Sequence, residues 1–138
     1  MQLDGKNALF AWEIGSGLGH IGVLSPIMAR FIEAGMQCTL VAKEVTSAGR
    51  LAPRQVRKRQ APPLHELNRN AISYAELLLN VGFHNPIIAL SVVTAWLKIL
   101  EAERPDLLVA DAAPFAILAA RILRIPTLVV GTAFNLPP

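Results

Sequence analysis

The stretch Asn7-Ala8-Leu9-Phe10-Ala11-Trp12, continued through Gly15-Ser16-Gly17-Leu18-Gly19-His20, decides how this chain is read. The first six residues form an apolar run that reads as a buried strand. From Ile21 to Ala34 the apolar residues recur at helical spacing (Ile21, Leu24, Ile27, Met28, Phe31, Ile32), and Gly35 stops the pattern. Between strand and helix lies a glycine-rich turn. Glycines there let the backbone approach a ligand closely, and the N-terminus of the following helix offers free N–H groups to an anion. His20 adds a side chain that moves protons near neutral pH, so the turn reads as a place where chemistry happens.

Outward from this unit, strands and helices alternate. A second strand spans Gln37–Ala42, with Lys43 and Glu44 at its exit. The basic segment Thr46 to Arg59 has room for a short helix, and Val56–Ala61 is a candidate further strand. Gln60-Ala61-Pro62-Pro63 must be extended or turned, because a residue before proline is pushed out of the helical region. Ser73 to Phe83 reads as one helix, and Pro86 to Glu103 as a longer one stopped by Pro105. Leu107-Leu108-Val109-Ala110 is a continuous apolar strand ending at Asp111. A helix from Pro114 to about Leu123 and a strand from Thr127 to Val130 complete a strand–helix–strand unit. The fold expected is α/β, a Rossmann-like open parallel sheet with helices on both faces, occupying residues 1–138 as one domain.

Composition agrees with that architecture. The 138 residues are 53% hydrophobic, and a chain of this size buries roughly 70% of its unfolded surface. No apolar run reaches the ~18 residues of a membrane span. Residues Met1 to Lys6 carry Asp4 early and show no signal-peptide pattern. The single cysteine, Cys38, sits in an apolar strand and reads as a small buried hydrophobe, which fits a reducing compartment; the expected location is cytoplasmic. The net charge of +3 is concentrated at Arg50, Arg54, Arg57, Lys58 and Arg59. Such a run reads first as a solvated face. No aromatic side chains interleave with it, so nucleic acid is not an expected partner, and nothing else supports a peripheral membrane contact.

Element order also places a site. In open α/β sheets ligands bind beyond the carboxyl ends of the strands, where strand order reverses. His20, Glu44, Asp111 and Thr132 all follow strands and are expected along that edge. Two readings of Asp111 stand side by side: it orients His20 through one ring nitrogen, leaving the other as a base, or it caps the helix that begins near Pro114. His20 likewise reads as a base or as a helix cap. The helix N-terminus disfavours an imidazolium and a neighbouring carboxylate favours it. Tyr74 and Trp96 read as core or cleft wall, His65 and His84 as surface residues. Gly15-x-Gly17-x-x-His20 matches the dinucleotide fingerprint weakly, because His20 stands where the third glycine belongs. There is no Walker loop and no metal-ligand spacing.

The turn Gly17-Leu18-Gly19-His20, followed by Pro26 and a helix ending at Gly35, resembles the N-terminal half of GT-B glycosyltransferases, in particular the UDP-glucuronosyl/UDP-glucosyl transferases. A second block is similar to bacterial members of that group: Arg104-Pro105-Asp106-Leu107-Leu108-Val109-Ala110-Asp111, then Ala119-Ala120-Arg121, Ile125-Pro126 and Gly131-Thr132-Ala133-Phe134. The resemblance implies inverting transfer of a sugar from a nucleoside diphosphate to an acceptor hydroxyl. It implies no metal and no cofactor beyond the nucleotide sugar as co-substrate. Carried over, His20 is the general base and Asp111 its orienting partner, while Ser16, Gly17 and Gly19 lie near the donor diphosphate. Glu44, Tyr74, Phe83, Thr132 and Phe134 then shape a pocket for a hydroxyl-bearing small molecule or lipid acceptor.

The family's second domain, which supplies most nucleotide-sugar contacts, lies outside these residues, so the chain alone is expected to be inactive. Three readings follow: an acceptor-domain fragment or truncated product of a glycosyltransferase, one subunit of a two-chain transferase with a separate donor-binding subunit, or a non-catalytic nucleotide- or dinucleotide-binding module.

Overall fold

The structure is a computed structural model, and it describes residues 3–67 and 69–131. Its elements are β1 (Asn7–Trp12), α1 (Gly19–Glu33), β2 (Gln37–Ala42), α2 (Val45–Leu51), β3 (Arg57–Gln60), α3 (Tyr74–Leu78), α4 (Pro86–Glu103), β4 (Leu107–Asp111), α5 (Pro114–Ile122) and β5 (Thr127–Val129). Five strands form one sheet in the order β3-β2-β1-β4-β5, and every pairing is parallel. From the central β1 the chain winds outward through β2 to β3, then returns to the other side of β1 for β4 and β5. The strand order therefore reverses between β1 and β4. The register there pairs Trp12 with Asp111, so both strands end level with each other.

Alternation along β1 divides its side chains between two helical layers. Phe10 meets Phe31 of α1 edge-to-face, with ring centroids 5.6 Å apart. Glu13, just past the strand, turns the other way and reaches Trp96 of α4 and the start of α5. Strands covered on both faces need apolar residues throughout, which is why β1, β2 and β4 read as near-continuous apolar runs. Trp12, Trp96, Phe10, Phe115, Leu9, Ile21, Leu24 and Met28 are fully buried. Cys38 is buried in β2, and burial pushes its thiol up to about 11.

The expected further strand exists as β3, an edge strand with all four residues exposed. Its charges suit an edge, because they discourage pairing with another chain. Arg57 and Arg59 both reach Glu103 at the end of α4, each at 2.7 Å, so part of the basic run is ion-paired. No single described helix is long and apolar enough to cross a membrane.

Two expectations are corrected. The first helix begins at Gly19, two residues earlier than its apolar periodicity indicates, so His20 lies within its first turn. The single helix expected from Ser73 to Phe83 is broken. Its first part, α3, is capped by the Ser73 hydroxyl, which accepts the Glu76 N–H. A π-type turn over Leu79–Phe83 follows, with Gly82 inside it at φ +126°. Gly82 adopts that angle freely, and a Cβ there would come 2.9 Å from Ile88. The chain then turns into α4, whose first N–H groups are accepted by the Asn85 side chain.

Candidate active site

Because β1 and β4 are hydrogen-bonded neighbours ending in register, the segments that leave them start side by side. His20, in the first turn of α1, places Nδ1 3.0 Å from Oδ2 of Asp111, the last residue of β4. The Asp111 side chain is 2% exposed and that of His20 22%. Beneath the imidazole lies the indole of fully buried Trp12, stacked at 5.3 Å. The Trp12 N–H is held by the carbonyl of Ile14 at 2.7 Å. A carboxylate can only accept, so its contact with Nδ1 puts the ring proton there and leaves the Nε2 lone pair free.

Nε2 faces the backbone of Gly15. A Cβ at Gly15 would lie 2.6 Å from that nitrogen, and the residue also adopts φ +100°. Gly15 and Ser16 form one wall of a cavity of about 420 Å³, whose polar side chains include Lys43, Glu66, Arg69 and Asn80. A neighbouring cavity of about 490 Å³ shares Lys43 and Glu66 and is bounded by Glu13 and Gln60. Lys43 and Glu66 are ion-paired at 2.7 Å between the two spaces. The turn that leads to His20 thus borders a mixed polar and apolar trough beyond the strand ends.

The two readings of Asp111 are separated by a residue that sequence reasoning missed. The residue before α5 is Ala113, whose side chain cannot cap. Instead the Glu13 carboxylate crosses from β1 and accepts the N–H groups of Phe115 (2.9 Å) and Ala116 (3.4 Å). Its other oxygen accepts the indole N–H of Trp96. Asp111, relieved of that cap, turns to His20. Glu13 is 1% exposed, and burial pushes its carboxyl up to about 8 against the lowering effect of these three donors. Its only signal in the sequence is a lone acid at the end of the apolar run from Asn7 to Ile14.

The other expected residues are scattered in their placement. Ser16, Gly17 and Gly19 are exposed in the turn that opens α1, and Leu18 before the helix makes no side-chain cap. Glu44 follows β2 as expected, but it is exposed and borders neither cavity; its neighbour Lys43 borders both. Tyr74 is half-buried, and its hydroxyl is pushed up by burial and then by the nearby Glu13 charge. Phe83 does not wall either cavity: it stacks on Phe115 at 4.3 Å and packs against the core. Thr132 and Phe134 lie outside the described residues. Trp96 is core, and His65 and His84 are exposed.

The fold and site together define a doubly wound α/β domain with its crevice at the strand-order reversal, a place that binds ligands in this class. No family model and no curated protein matches the sequence. Solved structures do match. A Phytolacca americana enzyme, UGT2, complexed with UDP-2fluoro-glucose and pterostilbene, is 15% identical over 94% of this chain and 31% of its own, with a TM-score of 0.59. The Streptomyces sp. SF2575 glycosyltransferase SsfS6 is 22% identical over 90% of this chain and 38% of its own, with the same TM-score. MurG of Acinetobacter baumannii is 17% identical over 90% and 33%, again at 0.59. The chain therefore shares the fold of these structures and spans about a third of their length.

Proposed function

We propose that these residues form the acceptor side of an inverting glycosyltransferase. The observation that carries this reading is the His20–Asp111 pair at the strand-order reversal, with Nε2 against Gly15, a residue that borders the trough. An acceptor hydroxyl in the trough gives its proton to Nε2 as its oxygen attacks the anomeric carbon of a nucleotide sugar. The bond from that carbon to the diphosphate breaks, and the nucleoside diphosphate leaves with the electron pair. Attack opposite the leaving group inverts the anomeric centre. Asp111 keeps the ring in the productive tautomer and stabilises the imidazolium as it forms. The turn Ser16–Gly19 and the first N–H groups of α1 face the developing diphosphate charge.

SsfS6 has also been solved with thymidine diphosphate, which supports a nucleoside-diphosphate sugar as donor. Most donor contacts come, in this reading, from residues beyond these 138, in the same or a second chain. The acceptor is a hydroxyl-bearing small molecule or lipid. The test is turnover of a nucleotide sugar with a panel of alcohols by the enzyme completed with its donor-binding domain. His20→Ala should lower the rate at least ~10²-fold; full activity of that variant would remove His20 as the base. Comparable turnover by the chain alone would overturn the two-part reading.

A further inference from the structure

Glu13 takes no part in the proton transfer just described, yet with Asp111 it is one of two carboxylates buried to 1% exposure among the described residues. Its surroundings form a closed link between the two strand ends that carry the catalytic pair. The carbonyl of Ala112, next to Asp111, accepts the N–H groups of both Glu13 (3.2 Å) and Ile14 (3.0 Å). Ala112 adopts φ +48°, a left-handed angle uncommon for a residue with a side chain. In return the Glu13 carboxylate accepts from Phe115 and Ala116. Residues 13–14 and 112–116 are thus tied in both directions, and Trp96 of α4 fixes the carboxylate from behind.

A local cap would be simpler. Serine or aspartate at Ala113 would satisfy α5 without burying an acid, but it would tie α5 only to β4. Glu13 ties α5 to β1, the strand from which the His20 turn departs. We propose that Glu13 is a positioning residue: by capping α5 from the neighbouring strand, it holds the ends of β1 and β4 at the spacing where Nδ1 of His20 meets Asp111. The relevance of that spacing to catalysis rests on the acceptor-side reading above, whereas the positioning itself does not.

The test reads the His20 ring directly, by long-range ¹H–¹⁵N NMR of histidine-labelled protein without substrate, at a pH above 8, where the Glu13 carboxyl is ionised and both its oxygens accept. In the parent protein the ring should be the Nδ1–H tautomer. Glu13→Gln, which keeps the shape but opposes an amide NH₂ to the α5 donors or to Trp96, should raise the Nε2–H share at least severalfold. Glu13→Ala should raise it further if it folds; Glu13→Gln carries the test if it does not. Leu100→Ala, a core truncation in α4, should leave the tautomer unchanged. Parent-like ring signals in Glu13→Gln, or an equal change in Leu100→Ala, would overturn the proposal. In the completed enzyme Glu13→Gln should lower kcat about tenfold or more with KM little changed. A tautomer change in Glu13→Gln alongside full activity of His20→Ala would uphold positioning and sink the catalytic reading instead.

Discussion

Nε2 of His20 packs so tightly against Gly15 that a methyl group on Gly15 would sit 2.6 Å from it. The glycines of this turn are therefore not equivalent. Gly17 adopts φ +78° but has nothing within 4 Å of the position its Cβ would take. Gly15 combines a positive φ with direct contact to the nitrogen assigned as base.

Gly15→Ala should accordingly do two things. It should lower stability by about 1–3 kcal/mol through backbone strain, seen as a lower urea midpoint. It should also displace the imidazole and depress transferase rate far more than Gly17→Ala, which carries the strain alone. Equal rates for the two variants would contradict the packing of Nε2 against residue 15.

Asp111→Asn keeps the buried shape beside His20 but removes the carboxylate that selects the ring tautomer. The completed enzyme should lose about 10²–10⁴-fold in kcat while its circular dichroism is unchanged. Parent-like activity would leave Asp111 with a structural role only.

The burial of Glu13 has a consequence for stability against pH. Its carboxyl is raised from 4.5 to about 8 in the folded protein, so between those values the folded state holds a proton that the unfolded chain releases. Stability contributed by this group is complete below pH 4.5 and declines as pH rises through about 8. At about 1.4 kcal/mol per unit, the decline should reach a few kcal/mol. The urea midpoint should fall between pH 5 and pH 8.5, and Glu13→Gln should flatten that slope. A midpoint that rises over this range would show that the three donors outweigh burial.

Most of the sheet was legible along the chain. Strands buried on both faces must be apolar throughout, so β1, β2 and β4 stand out as runs, and glycine or proline marks the helix ends at Gly35 and Pro105. The strand-end positions of His20 and Asp111 were legible too, because the alternation of strands and helices places both at one edge. The break after α3 was not. Leu77, Leu78 and Val81 continue a helical pattern, and the positive φ of Gly82 that breaks it shows only in the fold. The exposure of Glu44 and the stacking of Phe83 on Phe115 were equally hidden, since exposure and side-chain direction depend on neighbours distant in sequence.

The sequence by itself determined the period of each element, the glycine-rich turn and the residue types that can move a proton. Tertiary structure alone decided which carboxylate does which task. Asp111 and Glu13 both stand at the end of an apolar strand, and local pattern treats them alike. Parallel pairing of β1 with β4 sends Asp111 to His20 and Glu13 to the N-terminus of α5, because successive side chains leave a strand on opposite faces.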